Sequence, residues 1–590
     1  MRNVRRQLSL VLLCTLPGAL AVARDYTLAF ASFAPANMDI FVADADGSNA
    51  KAFLPHPGQD YNASFSGDGK WIVFTSERDG SADIYRARTD GSGLERLVAD
   101  PAFDDQAALS PDSRQLAFVS TRSGQADVWL LDLRTKALRN LTNHPDGDFR
   151  PAWSPDGEWV AFSTERHSTK TRSGFGVPDL PTEIYVIRAD GSGLRRITES
   201  ATYEGSPSWS PDGKYLAVHQ AEAVEFRRTV NPTQVNGPGT LQIAVIDIAT
   251  LSQRVITTGL GEKWSPRWLT NERVGYVSRT GLEFSSGAPG LRGDFRSPNW
   301  SADCRRVVFH RDAETARPPF RREHSRDPQF KLIRSGIFPS WSPRGDRLVV
   351  NDQAAGGMRN NLMVMNADGT ARSIIYSHPD KNALAPVWSH GGERIAFALG
   401  GFFQMLPNIP RANADIAIIS SDGKDLQLLT SGDGNYAFPS WSPDDRQIVY
   451  RSFQPPGLFI MDVETRVSKP LLMGSNNFPS WSPKGNLIAF AGNRDGNFDV
   501  YTIKPDGSDV KHLTNSPGLE GHLAWSPDGE WIAFSSDRGP FKDESALYVG
   551  NAQSRADIYV MRADGSDVRQ LTDNQFEEAT PGWLPLSFGE

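Results

Sequence analysis

A phrase close to Trp-Ser-Pro-Asp-Gly, followed by an alternating apolar strand, recurs along almost the whole chain and restricts its fold more than any other feature. The anchors of the phrase are Phe65, Leu109, Trp153, Trp209, Trp268, Trp300, Trp341, Trp388, Trp441, Trp481, Trp525 and Trp583. Most neighbours lie about 40 to 60 residues apart, which is the length of a four-stranded propeller blade with its loops. In Ser210-Pro211-Asp212-Gly213 the proline takes the second and the glycine the fourth place of a type I turn. An alternating strand such as Trp531-Ile532-Ala533-Phe534 follows, then a loop, then a third strand such as Asp557-Ile558-Tyr559-Val560-Met561. The Asp564-Gly565 turn leads into a fourth strand ending near Leu571-Thr572. The pattern predicts an all-β chain of β-propeller blades, twelve in number.

The first copy starts directly at Thr27-Leu28-Ala29-Phe30 without a Trp-containing strand, and the last stops just after Gly582-Trp583 with only that strand. Joining such half-blades closes a ring and removes its sheet edges. Twelve blades exceed the usual four to eight, so two tandem six-bladed propellers are expected, over residues 24–303 and 304–590. In that scheme Trp300-Ser301 completes the ring begun at residue 27, and Arg306-Val307-Val308-Phe309 begins the second. The short spacing from Trp268 to Trp300 leaves a seven-plus-five division, or one open ring, as alternatives.

Residues 1–23 read as a cleavable signal peptide: Arg2, Arg5 and Arg6, an apolar run from Leu8 to Leu20, and Ala21-Val22-Ala23 before the expected cleavage. Periplasmic or secreted localisation is therefore expected, without a stable membrane anchor. Cleavage removes Cys14 and three arginines, leaving Cys304 alone and a chain more acidic than the formal −8 of the whole sequence. That argues against an intrachain disulfide, a cysteine metal site and a general nucleic-acid role. Asp44-Ala45-Asp46-Gly47-Ser48 and Asn493-Arg494-Asp495-Gly496-Asn497 lack full calcium-ligand spacing and read as hairpin turns, so neither metal nor cofactor is expected. Asp39, Asp83, Asp127, Asp499 and Asp557, which open third strands, are expected to accept backbone hydrogen bonds.

The repeated Trp-Ser-Pro-Asp-Gly and Asp-Ile-Tyr-Val phrases, with Arg562-Ala563-Asp564-Gly565-Ser566, resemble the WD-like propeller repeats of the TolB family over nearly all of residues 27–583. The resemblance implies the propeller fold and a partner-binding role in the cell envelope. The chain departs from TolB in having twice the blades and no small N-terminal α/β domain. No Gly-x-Ser-x-Gly elbow or His-x-His pair occurs, so the peptidase and amidohydrolase domains carried by similar propellers are not expected. The insertion Asp537 to Glu544 is similar to a segment of exported TolB-like proteins.

Connections between second and third strands vary most in length: 164–182, 219–240, 310–331, 400–414 and 535–556. They are expected on one face, where variable loops on a rigid scaffold carry function. Together they hold fifteen Lys and Arg against eleven Asp and Glu, so that face is expected to be locally basic. The ligand-binding candidates are His167, Arg172, Arg227, Arg228, Arg321, Arg322, His324, Arg326, Arg538, Lys542 and Tyr548. Arginine pairs bidentately with carboxylate, which suits an anionic, uronate-type or sulfated glycan. The competing reading is a set of solvated loops with internal ion pairs.

The leading expectation is an exported binding or scaffold propeller for an envelope or extracellular protein, or for a glycan. The alternative is a polysaccharide lyase or glycoside hydrolase, in which arginine neutralises a uronate carboxylate and a residue such as Tyr548 takes the proton. An enzyme needs groups converging in one pocket, and a scaffold does not.

Overall fold

The computed structural model describes residues 24–32, 37–167, 182–199, 202–222, 241–259, 261–287, 290–313, 320–353, 360–401, 413–432, 434–494, 496–539, 542 and 556–586. Its described residues form strands and turns without helix, in eleven four-stranded sheets and one of three strands. The three-stranded sheet is Lys263–Thr270, Arg273–Ser278 and Gly281–Phe284, where the spacing of anchors is short. The chain is a β-propeller protein, and its sheets group by the neighbours of their innermost strands.

In ring I the innermost strands are Asp60–Phe65, Asp104–Leu109, Asp148–Trp153, Thr202–Trp209, Lys263–Thr270 and Arg296–Trp300, each beside the next and the last beside the first. Ring II repeats this with Ile337–Trp341, Asn382–Trp388, Tyr436–Trp441, Asn476–Trp481, Glu520–Trp525 and Glu578–Trp583. Anchor indoles staple neighbouring sheets: Trp153 donates to the Ala108 carbonyl at 3.1 Å, Trp209 to Ala152 at 3.1 Å and Trp525 to Ser480 at 3.0 Å. The fixed place of tryptophan in the repeat is thus a packing requirement. In the turns, the Ser110 hydroxyl holds Asp112 at 2.7 Å and Ser526 holds Asp528 at 2.7 Å.

The boundary expected at residue 303 runs through a sheet. Arg296–Trp300 and Arg306–Asp312 remain one antiparallel hairpin, because Ser301 and Asp303 form the same tight turn as elsewhere, at 2.6 Å. Arg306–Asp312 then pairs with Met38–Asp44, closing ring I. Tyr26–Ser32 lies in ring II, antiparallel to Glu578–Trp583 and parallel to Phe330–Ser335. The interruption therefore falls between second and third strands, not between first and second. The 310–331 segment consequently links the two rings and is not a loop within one sheet.

The rings touch on the side where second strands end. Gln106 of ring I donates to the Lys542 carbonyl of ring II at 3.2 Å, and the Thr121 hydroxyl donates to Asp573 at 3.2 Å. Second-strand ends of the two rings thus meet at this junction, while most of the variable connections expected on one face lie outside the described residues.

Candidate functional site

Most of the described candidate cations are held by acids of their own surroundings. Arg538 pairs with Glu520 and lies over the Phe534 and Tyr559 rings, 5.1 and 5.2 Å from their centroids. The same device recurs as Arg78 with Asp60 at 3.1 Å, Arg122 with Asp104 at 2.9 Å and Arg166 with Asp148 at 2.9 Å. Arg538 is therefore a blade-building residue, marked in the sequence by the arginine four places after Phe74, Phe118, Phe162, Phe490 and Phe534 alike. His167 meets the Tyr185 hydroxyl at 2.7 Å.

Lys542 is buried and pairs with Asp557 at 2.8 Å and Asp573 at 2.7 Å. Arg326 reaches the same Asp573 at 2.9 Å, Arg321 pairs with Glu323 at 2.5 Å, and the His324 ring lies against Gly80 of ring I. A Cβ on Gly80, whose φ is +107°, would come within 2.8 Å of that ring. Arg322 is exposed. Arg326, Lys542 and His324 thus meet at the junction of the rings, while His167 and Arg538 belong to separate sheets. Arg172, Arg227, Arg228 and Tyr548 lie outside the described residues.

The centres of the rings carry a feature that the sequence reading missed. The third residue before each anchor is a β-bulge with φ between 44° and 58° in all twelve innermost strands. In ring I these residues are Asn62, Gln106, Arg150, Ser206, Ser265 and Ser297; in ring II they are Phe338, Ala385, Phe438, Phe478, His522 and Thr580. The anchor spacing contains them, but the bulge that sets their register is not visible in an alternating pattern.

Ring I is polar at this level. The Asn62 amide donates to both Asp105 oxygens at 3.0 and 2.9 Å, and the Arg150 guanidinium approaches Asn62 Oδ1 and the Ser297 hydroxyl at 3.4 Å each. The Asn62 N–H donates to His310 Nδ1 at 3.3 Å. Burial, reinforced by Arg150 and Arg267, pulls the pKa of His219 down to about 3, so it is neutral.

Ring II is plugged by aromatic groups. Ring centroids lie 5.8 Å apart for Phe338 and Phe438, 4.5 Å for Phe438 and Phe478, 4.2 Å for Phe478 and His522, and 5.7 Å for His522 and Phe338. Burial pulls the His522 pKa down to about 3, so the imidazole joins this plug uncharged. Above it opens a funnel of about 810 Å³ walled by Pro339, Pro386, Pro439, Pro479, Pro581 and the anchor tryptophans. Its ionisable lining is confined to Arg24, His390, His522 and Asp528. Among the described residues no group of three or more His, Cys, Asp or Glu is placed to hold a metal ion.

The family described as TolB beta propeller domain matches residues 99–234 and 403–554. An uncharacterized protein of Agrobacterium fabrum is 30% identical over 255 residues, covering 42% of this chain and 80% of that protein. The Protein TolB homolog of Chlorobium luteolum is 32% identical over 253 residues, 42% of this chain, and the chain spans about half (51%) of that relative's length. Solved TolB from Acinetobacter baumannii is 14% identical, with 82% of each chain covered and a TM-score of 0.26. The chain belongs to the TolB-like β-propeller family.

Proposed function

We propose that the protein is a periplasmic binding propeller that takes a segment of a protein partner into the funnel of ring II. The observation that carries this reading is the funnel itself: a wide, proline-walled concavity over an uncharged aromatic floor, with few groups able to move a proton. Rigid proline and indole walls suit docking of an apolar segment, because little side-chain freedom is lost on contact. The name of a further relative, Tol-Pal system protein TolB of Anaeromyxobacter dehalogenans, 31% identical over 113 residues, adds support for an envelope partner. No described helix is long and apolar enough to cross a membrane.

The test places a photo-crosslinking residue at Ser480 in the funnel and, as control, at the exposed Asp190 of ring I, in cells of the source organism. A discrete adduct from Ser480 that is absent from Asp190 supports the reading. Equal labelling from both positions would sink it. Incubation with uronate and sulfated polysaccharides, followed by absorbance of unsaturated ends and reducing-end release, distinguishes the enzyme reading, which requires turnover.

A further inference from the structure

Arg451 is a half-buried cation with no counter-charge among the described residues. It lies in the ring II strand Gln447–Phe453, opposite Ala437, the residue just before the bulge at Phe438. The equivalent places of ring II hold Ala31, Asn351, Ala398, Ala491 and Ser535, so an arginine there departs from the repeat. Where the place is polar its work is visible: Asn351 donates to the Ala383 carbonyl at 2.6 Å and accepts from the Ala385 N–H at 3.0 Å.

Arg451 does no such work. Its guanidinium lies 5.6 Å from the Phe438 ring and 5.6 Å from the Phe453 ring, and its Nε is buried without a hydrogen-bond partner. Burial alone pulls its pKa down to about 10, with no charged neighbour contributing. Two aromatic faces offer a weak cation–π attraction but leave the N–H edges of the planar group unused. A charge partly withdrawn from water without a partner is unfavourable, and a sheet that elsewhere manages with small or neutral side chains at this place gains nothing structural from it. Phe453 is 51% exposed, so one wall of this aromatic clamp opens to solvent.

We propose that Arg451 is the recognition group of a carboxylate-binding site, in which Phe438 and Phe453 orient the guanidinium fork and the ligand's carboxylate supplies the missing charge. The planar, bidentate match of guanidinium and carboxylate selects this chemistry over a lysine-type point contact. The site does not depend on the funnel being a docking surface, since its groups lie at Arg451 and Phe453 and only Phe438 is shared.

The test is calorimetric titration of the full-length protein with succinate at constant ionic strength, with sulfate in a parallel series. The wild-type protein is expected to bind succinate in preference to sulfate. Arg451→Met should abolish binding, Arg451→Lys should weaken it about tenfold, and Phe453→Ala about threefold. In succinate-free buffer Arg451→Met should also raise Tm by about 2 °C, because the uncompensated charge is gone. Absence of succinate binding to the wild type, equal binding by Arg451→Met, or sulfate binding as tightly as succinate would each overturn the proposal. Phe453→Ala removes an exposed side chain, so if Arg451→Met does not fold, undiminished binding by Phe453→Ala overturns it as well.

Discussion

The same bulge, at the same place in the same repeat, builds opposite centres in the two rings. Around ring I it presents Asn62, Gln106, Arg150 and three serines, of which Asn62, Gln106, Arg150 and Ser297 are drawn into a hydrogen-bonded hub that includes Asp105 and His310. Around ring II it presents three phenylalanines and an uncharged histidine, which close the channel by ring-to-ring contact. A hydrogen-bonded hub demands that every donor and acceptor find its partner, so its geometry is narrowly specified. An aromatic plug is held by area and shape, and it can present a hydrophobic floor to something above it. The difference teaches that the blade repeat fixes where the central residues stand and leaves their chemistry free.

Removing one plug residue should give the largest effect. Phe478→Ala is expected to destabilise ring II by about 3–5 kcal/mol, read as an earlier urea transition, with the ring I signal unchanged if the rings unfold separately. The corresponding insult to ring I is smaller and of another kind. Asn62→Asp keeps shape and tolerance of positive φ but places a second carboxylate against Asp105, and should cost about 1–3 kcal/mol. Because two neighbouring carboxylates favour sharing a proton, the loss should be greater at pH 8 than at pH 5. A hub indifferent to pH in this variant would show that Asp105 is not held as the structure places it.

The smallest effect concerns the junction between the rings. Burial pushes Glu578 up from the usual 4.5 to about 8, and Asp557 and Glu323 add to the shift. Burial likewise pushes Glu77, beside Glu323, to about 7. Such groups hold their protons in the folded chain and release them in the unfolded one. Their contribution to stability is fully present below about pH 4.5 and is lost as pH rises through 7 to 8. Glu578→Gln should therefore flatten the fall in urea midpoint between pH 4 and pH 8.5, leaving the value at pH 4 almost unchanged.

The blade repeat was legible because each of its parts serves local geometry: the serine and aspartate in the turn, the indole between sheets, the aspartate at the start of the third strand. Asp127, for example, accepts the His144 N–H at 3.0 Å, as its place in the repeat led one to expect. The assignment of strands to rings was not legible, because Thr27 to Phe30 and Arg306 to Phe309 carry the same alternation and either could lie beside an innermost strand. The basic candidates were visible as residues but not as partners. Arg538 and Lys542 look like free cations until Glu520, Asp557 and Asp573 are brought beside them from other strands. Arg451 carried the reverse signal, a charge where its repeat mates are small or neutral, and aligning the repeats on the bulge reveals it.

The exchange of strands between the rings also sets an order for biosynthesis. Ring I is an uninterrupted segment of the polypeptide, enclosed between the second and third strands of one ring II sheet. A nascent chain can therefore complete ring I while every ring II strand but Tyr26–Ser32 is still untranslated. Tyr26–Ser32 can pair early with Phe330–Ser335, but its other edge must wait for Glu578–Trp583 before the sheet is complete. Ring II is thus sealed only when Glu578–Trp583 reaches the edge of Tyr26–Ser32, and until then that edge is a natural client for a holding chaperone.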